Sequence, residues 1–123
     1  MKLVFIIFLL ILPSVALCNW THTSTSMGTV DNYVDLSTKI KTGNMQYKIW
    51  TKQEYRIKSE KGWFSAAALV ETNCTKRQSR FLAIIAYDKK NLVGNVLDSQ
   101  KDTGEWIDIE RGSIGEKFLK VIC

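Results

Sequence analysis

The sequence predicts an α+β domain: an antiparallel sheet of about six strands, with a C-terminal helix packed on one face and tethered by a disulfide. Three observations predict this fold. Extended segments with alternating apolar and polar residues follow one another along the chain, and turn signals rich in Gly, Asn, Asp and Ser separate them. One amphipathic helical pattern closes the chain, and the 123 residues suit a single domain.

The first segment of the chain has the pattern of a signal peptide. Lys2 supplies a positive charge, residues 3–12 form an unbroken apolar run, and Pro13 ends the run before a small-residue region. A transmembrane anchor is the alternative, but a bilayer span needs about 20 apolar residues and this run is half that length. We therefore expect residues 1–18 to be removed, which leaves residues 19–123 as one exported domain with no transmembrane span.

The cleavage point has more than one interpretation. Small residues precede both Leu17 and Asn19, so either position fits cleavage. Residues 15–18 also resemble a bacterial lipobox, in which Cys18 would carry lipid. Leu17 departs from that motif, which normally has a small residue just before its cysteine.

Removal of residues 1–18 reduces three cysteines to one pair, Cys74 and Cys123. In an exported domain of this size two cysteines most simply form one disulfide, and the alternative of two free thiols is disfavoured in an oxidising compartment. Closing a loop of about 50 residues stabilises a fold by roughly 4 kcal/mol in the chain-entropy model. We expect this bridge to pin the end of the C-terminal helix across the sheet, over the alanine-rich strand.

Each predicted strand depends on a local pattern. The cleanest alternation covers residues 45–56, where apolar residues such as Ile49 alternate with polar ones such as Lys48. Residues 80–87 are apolar on both faces, which is typical of a central strand, whereas three alanines within residues 63–73 would also suit a helix. The predicted strands cover residues 20–26, 29–36, 45–56, 63–73, 80–87 and 92–99, the last with Gly94 as a bulge or close-packing point, and residues 106–109 are also extended.

The helix prediction depends on a capping box and an apolar stripe. Ser113 and Glu116 have the spacing of a box in which each side chain bonds the backbone N–H of the other residue. Ile114, Phe118 and Ile122 lie on one face of a helix that runs to the end of the chain. At about ten residues such a helix is marginal by itself and needs packing against the sheet.

The formal net charge of +5 comes from basic residues spread along the chain. Acidic lipid headgroups, acidic glycans and acidic patches on proteins suit such a surface, although a solvated surface without a partner is the simplest interpretation of any one cluster. Nucleic acid is not expected as a partner, because an exported protein rarely meets it and no recognition motif accompanies the charge.

Catalytic and metal sites are not predicted. His22 is the one histidine of the chain, and it lies in a Thr- and Ser-rich strand without the signature of a Ser–His–Asp or Cys–His site. One histidine and two bridged cysteines do not supply four zinc ligands, and no Gly-rich phosphate loop occurs. We therefore expect no enzyme activity, no cofactor and no metal.

A partner-binding face is predicted on the strand at residues 45–56. Trp50 interrupts an otherwise polar face, and Lys48, Lys52 and Arg56 flank it at even spacing, so all four side chains share one side of the strand. Aromatic residues and arginine are enriched at interface cores. The alternative is that Trp50 covers the second face of the sheet, in a core or at the contact of a homodimer.

Short motifs follow one another along the predicted mature chain in a distinctive order, after an opening Trp. They are Tyr33-Val34-Asp35, Ile49-Trp50-Thr51, the segment from Cys74 to Tyr87, Trp106-Ile107-Asp108-Ile109, the segment from Gly112 to Glu116, and Val121-Ile122-Cys123. This order resembles the surface-adhesin protein E-like family of Gram-negative bacteria. One departure lies before the helix, where the family often has Pro ahead of Gly-Ser and this chain has Glu110 and Arg111.

The resemblance implies an antiparallel sheet whose C-terminal helix is tied down by a disulfide. It also implies adhesion to host extracellular proteins, with the protein in the periplasm or at the outer-membrane surface of a Gram-negative bacterium. The function we expect is a non-enzymatic exported binding module, adhesin-like, which contacts host or envelope proteins through its sheet surface. The alternative is a periplasmic envelope-maintenance protein or a small inhibitor of a secreted hydrolase.

Overall fold

Seven strands form one antiparallel sheet in the computed structural model, which describes residues 19–123. The predicted signal peptide, residues 1–18, lies outside the described residues. The strands are β1 (Trp20–Ser26), β2 (Val30–Gly43), β3 (Gln46–Tyr55), β4 (Ser65–Asn73), β5 (Gln78–Tyr87), β6 (Val96–Gln100) and β7 (Ile107–Asp108), and the helix is α1 (Ile114–Ile122).

Strands β1 to β6 lie side by side in the order in which they occur in the chain. Short connections explain this order, because antiparallel neighbours need only a tight turn between them. β7 pairs with the first residues of β5, on the same edge as β6. The predicted antiparallel sheet with one C-terminal helix is therefore confirmed, and residues 63–73, which would also suit a helix, contain the strand β4.

β2 is longer than predicted, because a bulge interrupts its pairing without ending the strand. Asp35 pairs with Trp50 and Ile40 pairs with Lys48, so β2 has three more residues than β3 between these two pairs. Within the bulge, the Thr38 hydroxyl accepts a hydrogen bond from the Trp50 N–H at 3.0 Å and donates one to the Asp35 carbonyl at 2.7 Å. The hydroxyl takes the place of a backbone partner, so the strand continues to the turn before β3.

The strand predicted over residues 92–99 begins later, at Val96 in β6. A loop with a 3₁₀ turn at Lys90–Leu92 precedes it. Gly94 lies in this loop with a φ of +92°, and a side chain at that position would collide with the Asp88 carboxylate. The close packing predicted at Gly94 is confirmed, whereas its predicted place within a strand is wrong.

The core lies between α1 and the sheet. Val34, Ile49 and Ile122 are almost completely buried, and Tyr47 and Phe118 pack against them. Burial of one such aliphatic side chain contributes about 1.5–3 kcal/mol. Near its end the helix thus packs on β2 and β3, its backbone comes closest to β1, and the predicted bridge holds its last residue at Cys74, directly after the alanine-rich β4.

The start of α1 has half of the predicted capping box. The Ser113 hydroxyl accepts a hydrogen bond from the Glu116 N–H at 3.3 Å. The Glu116 carboxylate binds the Arg77 guanidinium at 2.6 Å. Glu116 therefore ties the first turn of the helix to the turn between β4 and β5.

The end of α1 is tied to the sheet twice. Cys123 forms the predicted disulfide with Cys74, with Cα atoms 5.9 Å apart. The Lys39 ammonium, which the β2 bulge carries, donates a hydrogen bond to the Ile122 carbonyl at 2.6 Å. Among the described residues, no helix has the length and apolar character to cross a membrane.

Candidate binding face

The sheet has one face under α1 and a second face that points away from the helix, which we call the open face. Side chains of a strand alternate between the two faces. Ile49 of β3 is buried under the helix, so Lys48, Trp50 and Lys52 lie on the open face. The structure thus places three of the four predicted binding residues on the open face within β3, and the fourth, Arg56, follows the end of the strand.

Trp50 lies in an apolar centre that four other side chains complete. Leu69 of β4 is its direct cross-strand partner, and Ala83 of β5 is the partner of Leu69. Ala67 and Ile85 form the neighbouring pair, and partners in an antiparallel pair share a face. Both alanine side chains are small. The larger side chains of Trp50, Leu69 and Ile85, which are all half-buried, therefore extend further from the sheet.

The backbone beneath Trp50 is held on its β2 side by the bulge. Asp35, the partner of Trp50 in β2, is only 4% exposed. Its carboxylate accepts hydrogen bonds from the Ser37 N–H at 3.0 Å and from the Ser37 hydroxyl at 2.5 Å. Together with the Thr38 hydroxyl on the Trp50 N–H, these bonds fix the position from which the indole projects.

Lys52 is on the open face but does not extend into solvent. Its ammonium lies 4.6 Å from the centre of the Tyr33 ring and 5.3 Å from that of Trp20. The Glu54 carboxylate is 3.6 Å away, and the Lys52 side chain is 11% exposed. Cation–π contacts of this kind stabilise a partly desolvated ammonium, so Lys52 connects β1, β2 and β3 across this face.

Arg56 follows the end of β3, and its guanidinium binds Asp31 of β2. Two of its nitrogens donate to the Asp31 carboxylate at 3.0 and 2.9 Å. The hydrogen bonds from Arg56 and then from Thr25 hold the pKa of Asp31 at about 2, below its ordinary value of 3.8. Arg56 is therefore paired within the fold, beside Asp31, whose partner in β3 is Glu54.

An ion pair at the other side of the open face was missed by sequence reasoning. Glu71 is 5% exposed, and Arg80 binds its carboxylate at 2.6 Å while stacking 4.4 Å above the Trp106 ring. Burial raises the pKa of Glu71, but hydrogen bonds led by that from Arg80 outweigh it and leave the pKa below its ordinary value. Glu71 is the one charged residue of β4, but its partner depends on strand register, which the sequence does not show.

His22, the candidate considered for catalysis, lies at the edge of the open face with its side chain 50% exposed. Its Nε2 is 3.0 Å from the Thr25 hydroxyl, which donates its own proton to Asp31 at 2.7 Å. His22 is therefore not placed to accept that proton as a general base. Within the part of the chain that the structure describes, no group of three His, Cys, Asp or Glu side chains is arranged to hold a metal.

The fold and the open face together define a small disulfide-bonded α+β domain whose free surface carries an aromatic residue among apolar and basic neighbours. The sequence profile of surface-adhesin protein E matches residues 20–123, and the chain belongs to this family. The family resemblance seen in the motif order is thereby confirmed.

Two solved structures have the same fold. A crystal form of Haemophilus influenzae protein E superposes with a TM-score of 0.61 and 10% identity, over 82% of this chain and 91% of that one. Protein E from non-typeable Haemophilus influenzae superposes with a TM-score of 0.56 and 13% identity, over 85% of this chain and 84% of that one. No curated protein matches the sequence.

Proposed function

We propose that this protein is an exported, non-enzymatic, adhesin-like module that binds a host extracellular or envelope protein through its open face. The observation that carries the proposal is the apolar centre around Trp50, which no helix of residues 19–123 covers. Membership of a family of surface adhesins supports the same function.

The chemistry of the open face suits a protein contact. Protein interfaces have an apolar centre with aromatic anchors and a polar rim. Trp50, Leu69 and Ile85 supply the centre, while Lys48 and the Glu71–Arg80 pair supply charged groups around it. The rim fixes orientation, because charged groups discriminate between partners more than they add affinity.

Rigidity also favours binding at this face. The Trp50 N–H is bonded to Thr38, and Lys52 is held between two aromatic rings. A surface that is already ordered loses little conformational entropy when a partner binds. A partner therefore meets the indole in a fixed position.

Display at the outer-membrane surface follows from an adhesive role. Protease treatment of intact cells, with the protein detected by intact mass, is expected to remove it while a periplasmic marker survives. Protection of the protein together with that marker would place it in the periplasm, and the host-protein proposal would then be wrong.

The binding site is tested by Trp50→Ala, with Phe81→Ala as a matched control on the helix face. Phe81 is aromatic and 43% exposed, so both changes remove a partly exposed ring. Binding to a panel of purified extracellular-matrix glycoproteins, measured by surface plasmon resonance, is expected to weaken roughly 30-fold for Trp50→Ala, as for a hot-spot residue. The control is expected to bind normally.

Three outcomes would contradict the proposed site. Binding that survives Trp50→Ala, or that Phe81→Ala reduces equally, would remove the open face as the contact. A dimer that becomes a monomer in Trp50→Ala, measured by light scattering, would assign the face to a second copy of the chain. Circular dichroism on each variant checks that the variant is folded, so that a loss of binding is not caused by unfolding.

A further inference from the structure

Three connections meet at one end of the sheet, which we call the loop end: residues 27–29, 56–64 and 88–95. Consecutive strands are antiparallel, so every second connection lies at the same end. A hydrogen bond joins the first two directly, and residues 88–95 are bonded to Glu54 and Ser65 at the strand ends beside them. The Arg56 N–H donates to the Thr29 carbonyl at 2.8 Å.

Each of these connections exposes one large apolar side chain. Met27 is 95% exposed, Ile57 is 69% exposed and Val93 is 54% exposed. Three separate connections at the same end of the sheet thus each expose an apolar side chain, which we call their apolar tips.

Met27 has no structural reason to be at its position. Met27 and Gly28 have φ values of 50° and 68°, as in a type I′ turn, and the Thr29 N–H bonds the Ser26 carbonyl at 3.0 Å. The first central position of such a turn favours Asn, Asp or Gly, because the left-handed conformation strains other residues. A nearly fully exposed Met there disfavours the turn and buries no surface in the fold.

Basic residues lie in the same connections as these apolar tips. The two longer connections contain five basic and two acidic residues. Lys58, Lys61, Lys89 and Lys90 form no ion pair with any residue of 19–123. Of the two acidic residues, Asp88 accepts hydrogen bonds from the Asn95 backbone and side-chain amides at 2.7 and 2.9 Å, and Glu60 is the second.

The third connection is held in a strained shape. Asn91 and Leu92 both have left-handed backbones, with φ values of 65° and 60°. The Glu54 carboxylate accepts the Asn91 N–H at 2.9 Å, and the buried Ser65 hydroxyl accepts the Leu92 N–H at 2.9 Å. Strain that surrounding bonds enforce is typical of functional loops, and here it keeps Val93 at the tip.

We propose that the loop end docks on an anionic lipid surface, with Met27, Ile57 and Val93 entering the headgroup boundary and the lysines facing lipid phosphates. Exposed apolar residues combined with lysines are the pattern of peripheral membrane contacts.

A membrane fits this surface better than an acidic protein does. Strands lie about 4.8 Å apart, so neighbouring tips are separated by about 10 Å, and the three spread over roughly 20 Å. Protein interfaces concentrate their apolar residues in a packed centre. A bilayer instead accepts separate apolar side chains at a common level. In this orientation the open face points sideways and stays free for a protein partner.

Vesicle flotation with the purified, disulfide-bonded protein tests the proposal. Binding is expected to vesicles of phosphatidylcholine mixed with phosphatidylglycerol, to be weak on phosphatidylcholine alone, and to fall as salt screens the lysines. The double variant Lys89→Gln/Lys90→Gln is expected to bind about 25-fold more weakly, since each lysine near an anionic surface contributes about a factor of five. Met27→Ser is expected to weaken binding several-fold.

The matched control is Lys41→Gln/Lys76→Gln, which removes two exposed lysines at the opposite end of the sheet. Equal loss of vesicle binding in this control would overturn the proposal, because charge alone would then explain the binding. Absence of binding to anionic vesicles at low salt would also overturn it. Retention on a polyglutamate column without vesicle binding would assign the loop end to an acidic protein.

Discussion

The two ends of the sheet use the same residue type in different ways. The end opposite the loop end, which we call the disulfide end, contains the Cys74–Cys123 bridge and the last turn of α1. There the Lys39 ammonium bonds the Ile122 carbonyl and lies 4.3 Å from the centre of the Tyr47 ring. At the loop end, four lysines have no ion-pair partner within residues 19–123.

This difference shows that basic residues are informative only together with their neighbours. A lysine near the last carbonyls of a helix is stabilising, because it satisfies an acceptor and opposes the negative end of the helix dipole. A lysine on an exposed loop contributes little to the free energy of unfolding and is available for a partner. Substitutions that separate the two roles test the comparison.

The largest effect is expected at the disulfide end. Replacing Cys74 and Cys123 together by Ser is expected to lower the free energy of unfolding by about 4 kcal/mol, since a 49-residue separation is no longer closed in the unfolded chain. Urea unfolding of the variant, beside the parent protein with and without reductant, measures this loss. A reduced parent as stable as the oxidised one would show that the bridge does not hold α1.

The β2 bulge, which carries Lys39 to the helix end, is expected to have the next largest effect. Thr38→Val keeps the shape of the side chain but leaves the Trp50 N–H and the Asp35 carbonyl without their hydroxyl partner. The cost is about 1–3 kcal/mol in the free energy of unfolding. Thr38→Ser keeps the hydroxyl and is expected to be much less destabilising, and equal losses in the two variants would argue against the role of the hydroxyl.

At the loop end one basic residue, Arg56, forms an ion pair. We expect this pair to change the free energy of unfolding at acidic pH. Because Arg56 holds the pKa of Asp31 at about 2 against 3.8, the pair stabilises the fold above pH 3.8 and loses that effect as the pH falls towards 2. An NMR titration of the Asp31 carboxyl carbon is expected to show a higher pKa in Arg56→Gln. An unchanged titration would mean that the pair does not form in solution.

The smallest effect on stability is expected from the loop-end lysines. Lys89→Gln/Lys90→Gln is expected to change the free energy of unfolding by less than about 0.5 kcal/mol, because both side chains are exposed and unpaired within residues 19–123. Thermal unfolding measures this directly. A clear destabilisation would give these lysines a structural role like that of Lys39 and would remove the contrast between the two ends.

Most of the fold could be predicted from the sequence because its signals are local. β1 has the predicted bounds, and the helix begins after the predicted cap at Ser113. The binding face could be predicted from the sequence only in part. Alternation alone places Lys48, Trp50 and Lys52 on one side of β3, but it does not show that Lys52 packs between aromatic rings or that Arg56 binds Asp31.

The sequence by itself determined which segments extend, where the helix starts and which two cysteines pair. These features depend on the period of apolar residues within a segment, on one capping side chain and on the even number of cysteines that follow the predicted signal peptide. Only the tertiary structure decided the register of the strands, and with it the Glu71–Arg80 pair, the Thr38 bulge and the meeting of three loops at one end. Register joins residues that are distant in the chain, so no local pattern contains it.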